Sequence, residues 1–171
     1  MKLTDNKILL RPFKDSDLKS LTSLFNNKAV WDNLRDCIPF PYTESDANDF
    51  IKTCKAENPQ LTFAIEYKGQ FVGSIGLVKQ TDIHRLSAEL GYWVGEPFWG
   101  NGIAKSAVRL ITQYGFSQLG LIRIYSGVFA SNTASQKVLE KVGFKLEGVF
   151  ENSIIKNERI CSEYRFACFI Q

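Results

Sequence analysis

A glycine-containing turn is the segment of this sequence best suited to bind a phosphate group. Residues 96–104 read Glu-Pro-Phe-Trp-Gly-Asn-Gly-Ile-Ala, between an apolar strand pattern and an amphipathic helix pattern. Gly100 and Gly102 let backbone N–H groups approach a ligand, and the following helix directs the positive end of its dipole at the turn. A P-loop would require lysine where Ile103 stands, and a dinucleotide-binding G-x-G-x-x-G would require glycine at Lys105. The turn therefore predicts phosphate binding of another type, or only a tight connection between strand and helix.

Three polar side chains outside this turn could handle protons or bind a ligand. Glu89 is the only charged residue between Ser87 and Gly95. It is a candidate general base, and the alternative is an exposed or ion-paired carboxylate. Asn132 and Ser135 are three residues apart at the start of a predicted helix and share one face of it. Ser135 is a candidate proton donor or a solvent-facing serine, and Asn132 is a candidate ligand contact or a helix cap.

Metal and covalent chemistry lack the residues that they need. His84 is the only histidine, so a zinc site or a Ser-His-Asp triad would depend on one residue in a polar loop. The cysteines form no C-x-x-C pair and have no basic neighbours that would favour a thiolate, so we expect free thiols; they are Cys37, Cys54, Cys161 and Cys168. We therefore expect no metal and no acyl-enzyme.

Length and composition predict one soluble domain that spans residues 1–171. Hydrophobic residues make up 44% of the chain and charged residues 23%, which is ordinary for a globular protein and excludes disorder. The formal net charge is +3 and the Lys and Arg residues are scattered, so no nucleic-acid partner is expected. No segment approaches the roughly 20 apolar residues that cross a bilayer. We expect a cytoplasmic protein with no membrane partner.

Hydrophobic periodicity predicts a mixed α/β (α+β) fold with the element order β-α-α-β-β-β-α-β-α-β-β. The predicted strands are residues 8–13, 61–67, 71–79, 86–94 and 122–129, followed by two tail strands that turn around residues 156–158. The first two helices begin near Asp15 and at Thr43; the others span residues 101–117 and 132–142, with Gly143 as a left-handed cap. A helix joins the fourth strand to the fifth, which predicts a parallel pair. The sheet is expected to be mostly antiparallel, with about seven strands and helices on both faces.

Three motifs in the expected order resemble those of the GNAT N-acetyltransferase superfamily, and the resemblance covers essentially the whole chain. Residues 99–104 are similar to the acetyl-CoA motif Q/R-x-x-G-x-G/A, with Gly102 and Ala104 at the last two positions and Trp99 in place of Gln or Arg. Residues 88–94 resemble the family's fourth strand, and residues 132–144 resemble its N-x-x-S…E-K-x-G-F helix. Residues 10–13 and 39–43 resemble the branch that includes ribosomal-protein N-terminal acetyltransferases and spermidine acetyltransferases.

The resemblance implies a GNAT fold in which the fourth and fifth strands splay apart, with the pantetheine arm of acetyl-CoA in the gap. It implies acetyl-CoA as the co-substrate and places Asn132 beside the pantetheine and Ser135 near the thiol, so that Ser135 is the predicted acid and Glu89, on a strand beside this gap, is the predicted base. Many relatives have a tyrosine one turn beyond this serine, where Leu139 stands here, so proton donation falls to Ser135 or to water. The implied cofactor-binding residues are Tyr92, Trp93, Val94, Trp99, Gly100, Asn101, Gly102, Ile103, Ala104, Lys105 and Asn132.

The implied reaction is transfer of an acetyl group to a primary amine by direct attack in a ternary complex. An amine with a pKa of about 10.4 is mostly protonated at neutral pH, so the site needs a proton acceptor. The acceptor is either the α-amine of a protein N-terminus or a small-molecule amine; the predicted substrate-binding residues are Trp31, Tyr42 and His84. The protein is expected to be a monomer or a homodimer. The alternative function is a catalytically silent acetyl-CoA-binding module that serves as a sensor or partner domain.

Overall fold

One eight-stranded sheet organises the chain, of which the computed structural model describes residues 1–170. The strands are β1 (Leu3–Thr4), β2 (Ile8–Arg11), β3 (Thr62–Tyr67), β4 (Gln70–Lys79), β5 (Ser87–Val94), β6 (Arg123–Phe129), β7 (Lys145–Lys156) and β8 (Arg159–Phe169). They lie side by side in the order β1-β2-β3-β4-β5-β6-β8-β7. The predicted mixed, mostly antiparallel sheet is confirmed. The prediction of about seven strands is one short, because β1 has only two residues and shows no periodicity.

Within residues 1–170, five α-helices pack on this sheet. They are α1 (Leu18–Phe25), α2 (Lys28–Trp31), α3 (Glu44–Lys55), α4 (Ile103–Ser117) and α5 (Thr133–Val142). Thr43 begins α3 as predicted: Asp46 N donates to Thr43 Oγ1 at 3.2 Å, and Thr43 N donates to Asp46 Oδ2 at 2.8 Å. Gly143 ends α5 with a φ of 101°. The sequence did not predict α2, because a single turn is too short to show an amphipathic stripe.

Helices cover both faces of the sheet, as predicted, and each face has its own apolar core. On one face α4 and α5 bury Ile111 and Leu139 completely. On the other face α1 and α3 bury Leu21 and Ile51. The sheet residues of this second core are Ala64 on β3, Phe71 on β4 and Trp93 on β5, so the second helix layer ends at β5. Among residues 1–170, no helix is both long enough and apolar enough to span a membrane.

The parallel strands β5 and β6 are paired over only three residue pairs. Their ladder runs from Ser87 opposite Arg123 to Glu89 opposite Tyr125, although both strands continue for several residues. Ser126 Oγ, one residue beyond the ladder, donates to the backbone carbonyl of β5 at residue 90 over 2.9 Å. This geometry confirms the predicted splayed pair. Because a strand presents alternate backbone groups to each side, the last residues of β5 can offer N–H and C=O groups to a ligand in the gap.

Part of the sheet beside the second helix layer is uncovered, over β6 and β8. Residues opposite each other in a ladder point to the same side of the sheet. Glu89 therefore lies on the same side of the sheet as Tyr125, its partner on β6. Every second residue of β6, counted from Tyr125, lies on this side too, and so do the residues of β8 that pair with them. These residues belong to neither apolar core, and we refer to five of them as the uncovered face: Glu89, Tyr125, Gly127, Glu163 and Arg165.

The tip of the β7–β8 hairpin crosses one end of the uncovered face and contacts α2 and the segment that follows it. Lys156 Nζ lies 2.6 Å from Asp36 Oδ1 and 3.3 Å from the centre of the Trp31 ring, and its side chain is 5% exposed. Asn157 Nδ2 donates to Asp32 Oδ1 at 2.9 Å. These contacts join the hairpin to the segment after α2 at the end of the uncovered face where β8 begins. We call the space over the uncovered face, bounded at this end by these contacts, the groove.

Candidate active site

The turn predicted to bind phosphate connects β5 to the first residue of α4. Gly100 and Gly102 have φ angles of 77° and 69°, in the left-handed region that glycine adopts without strain. Gly102 directly precedes α4, and no side chain caps this helix, so N–H groups of its first turn can donate to a ligand. A Cβ at Gly100 would have no neighbour within 4 Å. The turn therefore has the free donors and the open space that an anion requires.

Two side chains of the turn fix its shape. Trp99 Nε1 donates to the Val94 carbonyl at 2.6 Å, and Asn101 Nδ2 donates to two backbone carbonyls of the turn at 3.1 and 3.2 Å. Trp99 is still 48% exposed as a residue, so part of its ring surface remains accessible beside the turn. The other predicted residues of this segment lie on α4, where Ile103 is buried and Ala104 and Lys105 are half-buried.

Lys7 is a candidate phosphate contact that the sequence did not reveal. Its Nζ lies 3.2 Å from the position that a Cβ would occupy at Gly102. Lys7 directly precedes β2 and reaches the start of α4 only through the fold. Its ammonium adds to the positive end of the helix dipole. A single lysine in a polar turn carries no periodicity or motif, so no sequence signal could have marked it.

The predicted cofactor residues of β5 differ in what they present to the gap. Trp93 is 9% exposed, and its ring packs against that of Phe25 with a centroid distance of 4.3 Å. Val94 is buried in the other core, and its carbonyl accepts the hydrogen bond from Trp99. Both residues can therefore contact a ligand in the gap through the backbone rather than the side chain. Tyr92 instead directs its hydroxyl toward α5.

Tyr92 and Ser135 connect β5 with α5 beside the gap. Their hydroxyl oxygens lie 2.7 Å apart, and either can donate. Burial raises the pKa of Tyr92 to about 12, so the phenol keeps its proton at neutral pH. Leu139 is fully buried, and Tyr92 places beside Ser135 the phenol group that α5 lacks. This contact could not be predicted from the sequence, because the two residues are 43 positions apart.

Asn132 directly precedes α5 and caps it. Its Oδ1 accepts a hydrogen bond from Ser135 N at 3.1 Å, which is the capping arrangement considered as the alternative to ligand binding. This contact uses the side-chain oxygen and leaves Nδ2 as the atom for any contact with a ligand. The cap also fixes the position of Ser135 at the start of the helix.

Glu89 lies where β5 and β6 separate. It belongs to the last ladder pair, its side chain is 20% exposed, and it forms an ion pair with Arg35 from the segment between α2 and α3. The Arg35 side chain is 66% exposed, so its guanidinium can move into solvent at little cost. A Cβ at Gly91, two residues along the same side of β5, would have no neighbour within 4 Å. A ligand therefore has room beside the Glu89 carboxylate.

The three predicted substrate-binding residues lie in different surroundings. Trp31 stands at the closed end of the groove, with its ring 5.2 Å from that of Phe40. Tyr42 is 7% exposed and stacks on Phe25 at 4.8 Å inside the second core. His84 is exposed in the turn that precedes β5, at the opposite end of that strand from the phosphate turn. The structure thus brings Trp31 next to the groove and places the other two away from it.

The four cysteines are free thiols in different surroundings. Cys54 is buried, and burial raises its pKa to about 12, which keeps it protonated and unreactive. Cys37 is exposed, and Cys161 and Cys168 are half-buried. Among residues 1–170, no three or more His, Cys, Asp or Glu side chains are grouped to hold a metal ion.

Comparison with known protein families agrees with this geometry. The family model described as Acetyltransferase (GNAT) domain matches residues 7–145, well over half of the chain. The chain therefore belongs to the GNAT acetyltransferase family, and it is an N-acetyltransferase that uses acetyl-CoA. The open turn before α4 and the splayed strands fit the phosphates and the extended arm of this co-substrate.

Individual relatives extend the similarity over nearly the whole chain. The uncharacterized N-acetyltransferase YoaA of Bacillus subtilis is 32% identical over 162 residues, which cover 91% of this chain and 89% of the relative. Spermidine N(1)-acetyltransferase of Escherichia coli is 27% identical over 165 residues, covering 96% and 87%. The structure of the ribosomal alpha-N-protein acetyltransferase RimL in complex with coenzyme A matches with a TM-score of 0.87 at 18% identity and covers 99% of this chain and 98% of that chain. This last likeness concerns the fold.

Proposed function

We propose that this enzyme transfers the acetyl group of acetyl-CoA to a small-molecule primary amine, by direct attack of the amine in a ternary complex. One observation carries the proposal, namely the order of groups along the gap between β5 and β6. Glu89 lies where the β5–β6 ladder ends and the gap begins. The Tyr92–Ser135 hydroxyl pair lies further along β5 beside the gap, and the phosphate turn follows at the end of β5.

Acetyl-CoA would be bound mainly by backbone groups. Gly100 and Gly102 with the first turn of α4 would bind its phosphates, with Lys7 as an added positive charge. The free edge of β5 would bind the amide groups of its pantetheine arm as a neighbouring strand would, and Asn132 Nδ2 would add a side-chain contact. When bound, acetyl-CoA supplies an acetyl group that is activated as a thioester.

Glu89 is the proposed proton acceptor. A primary amine with a pKa of about 10.4 enters the site mostly as the ammonium, and only the neutral amine attacks. The Glu89 carboxylate would bind the ammonium in place of Arg35 and then remove its proton, directly or through a water molecule. The exposure of Arg35, at 66% of its side chain, supports this exchange, because its guanidinium can be solvated when it leaves the carboxylate.

The Tyr92–Ser135 pair is proposed to stabilise the departing thiolate. If Tyr92 donates to Ser135 Oγ, the Ser135 hydroxyl hydrogen is free to donate to the sulfur. Complete proton transfer from Tyr92 is unfavourable, because its pKa of about 12 exceeds that of a thiol by about 3.5 units, or about 5 kcal/mol. The pair would therefore act by hydrogen bonding, and the final proton would come from water.

The closed end of the groove favours a small amine over the α-amine of a protein N-terminus. Lys156 and Asn157 contact the segment after α2 across this end, and a polypeptide acceptor would need an open path away from the site. Trp31, which lies under Lys156, is the predicted substrate-binding residue that we retain. A protein N-terminus is the second candidate acceptor.

Initial-rate kinetics with both acetyl-CoA and a small primary amine varied would test the proposal. Direct attack predicts intersecting lines in a double-reciprocal plot, and near-normal turnover after Cys37→Ser, Cys161→Ser, Cys168→Ser and Cys54→Ala. Parallel lines, or loss of turnover in one cysteine variant, would indicate an acyl-enzyme instead. Faster acetylation of an N-terminal peptide than of every small amine would contradict the small-molecule acceptor.

A further inference from the structure

A guanidinium with unused hydrogen-bond donors lies on the uncovered face. Within residues 1–170, the one hydrogen bond that the Arg165 side chain makes is from NH2 to Glu163 Oε1, at 3.0 Å. Its Nε–H is buried without an acceptor in the same part of the chain. A guanidinium has five N–H donors, and buried polar groups are nearly always paired. The side chain as a whole is 37% exposed, so its remaining N–H donors are accessible to an acceptor group of a ligand.

The position of Arg165 is fixed by two aromatic rings and a carboxylate. Its Cζ lies 4.5 Å from the centre of the Phe150 ring and 5.5 Å from that of Tyr125. The Glu163 side chain is 19% exposed, and its carboxylate lies directly against Gly127, where a Cβ would be 2.6 Å from Glu163 Oε2. Because only glycine leaves this space, Gly127 allows Glu163 to hold the guanidinium in place.

Tyr125 lies between this guanidinium and the proposed catalytic base. It is the ladder partner of Glu89, and Arg165 is opposite Gly127, two residues further along β6. Burial raises the pKa of Tyr125, Glu89 raises it further, and nearby guanidinium groups, Arg165 first, act in the opposite direction. These charges therefore surround one phenol. At a rise of about 3.3 Å per residue, two residues correspond to about 7 Å along β6.

We infer that Arg165 binds a carboxylate of the acceptor, so that the preferred amines of this enzyme carry a carboxylate close to the reacting nitrogen. The inference rests on the proposed acetylation of a small amine. Glu89 binds the ammonium end of such a zwitterion and Arg165 binds its carboxylate, for which the planar guanidinium is well suited. Glu163 and Gly127 act as positioning residues.

Paired acceptors that differ only in the carboxylate test this inference. Initial rates are measured with 4-aminobutyrate and butylamine, and with alanine and ethylamine, for the wild type and Arg165→Gln. We expect the wild type to prefer the carboxylated member of at least one pair. In Arg165→Gln the KM for that acceptor should rise about 10- to 100-fold, while kcat and the KM of the carboxylate-free amine change less than about threefold. Gly127→Ala should shift KM in the same selective way, because it displaces Glu163.

Controls separate the possible outcomes. Arg159→Gln, an exposed arginine at the start of β8, should leave both KM values unchanged, and CoA binding and melting temperature show that each variant is folded. The inference would be overturned, and the proposed function would stand, if the wild type used both members of every pair equally well. The same holds if Arg165→Gln raised the KM of both members of a pair by the same factor. Preference for aminomethylphosphonate over all carboxylates would overturn the carboxylate assignment. If the wild type acetylated none of the amines tested, the proposed function itself would be refuted.

Discussion

At the scale of single residues, the central question is what the Glu89 carboxylate does. It is both the proposed base and the partner of Arg35, and substitution of each residue separates these roles. Glu89→Gln should lower kcat about 10²- to 10⁴-fold, the usual contribution of a general base. Arg35→Ala removes the ion pair but keeps the carboxylate, so kcat should stay within about threefold of the wild type.

Steady-state kinetics with a saturating amine give the kcat values of Glu89→Gln and Arg35→Ala. Glu140→Gln, at an exposed position on α5, serves as a control for the loss of one carboxylate and should behave as the wild type does. Equal losses in Glu89→Gln and Arg35→Ala would show that Glu89 matters only as an ion-pair partner.

The Tyr92–Ser135 pair leads to a second prediction at this scale. Ser135→Ala removes the donor to the thiolate while its backbone N–H still binds Asn132, so kcat should fall about 10- to 100-fold with little change in the KM for acetyl-CoA. Tyr92→Phe should lower kcat less, because Ser135 can still donate. Full activity of Ser135→Ala would mean that water alone serves the leaving group.

Residue types and spacing predicted part of the proposed site but not all of it. Glu89, Ser135 and the two glycines of the turn could be proposed from the sequence because each stands within a motif or an otherwise apolar strand. Lys7, Arg165 and the contact between Tyr92 and Ser135 could not, since they depend on which strands and helices become neighbours in the fold.

At the scale of elements, the proposed function depends on the turn before α4 and its uncapped helix end. Gly102→Ala should abolish the rise in melting temperature that CoA and acetyl-CoA produce, whereas ATP and NAD should produce none in the wild type. The added Cβ strains a residue at φ 69° and meets Lys7 Nζ at 3.2 Å, so the turn can no longer receive the phosphates.

Gly120→Ala is the matched control for this variant. Gly120 follows α4 with a φ of 65° and open space around it, so both variants should lose about 1–2 kcal/mol of stability through backbone strain. Only Gly102→Ala should lose the response to CoA. An undiminished response in Gly102→Ala would show that the glycines serve only to turn the chain.

The elements themselves were largely predictable, for a physical reason. Long periodic segments such as α4 and the hairpin of β7 and β8 bury one side, and burial leaves a pattern in the sequence. The two-residue β1 and the single-turn α2 leave none, although α2 carries Trp31 and leads to Arg35. The part of the groove that α2 and the segment after it form was therefore missing from the sequence prediction.

At the scale of the whole molecule, the two faces of the sheet have different roles. One face is covered by α4 and α5 and forms the larger core, while the other is covered only as far as β5. The sequence predicted helices on both faces, but not where the second layer ends, because alternating residues of β6 and β8 look the same under a helix or beside a groove. The uncovered face, on which the proposed acceptor site rests, emerged only from the structure.

Burial in the second core predicts a loss of stability at alkaline pH. Burial raises the pKa of Tyr42 to about 12 from its ordinary 10, and that of Cys54 to about 12 from 9. As pH rises above these ordinary values, the unfolded chain loses protons that the folded protein retains, so the free energy of unfolding falls until about pH 12. Tyr42→Phe should make this fall less steep, by up to about 1.4 kcal/mol per pH unit. Urea unfolding at several alkaline pH values measures the slope, and an unchanged slope would contradict the burial of this phenol.

The central claim of acetyl transfer to a small amine is tested most directly by product stoichiometry. Purified wild-type enzyme is incubated with acetyl-CoA and a panel of small primary amines, and free thiol and N-acetylated amine are quantified together. We predict one acetylated amine for each thiol released, and no release above background without an amine. Thiol release that does not depend on the amine, or none with any amine on the panel, would contradict the claim.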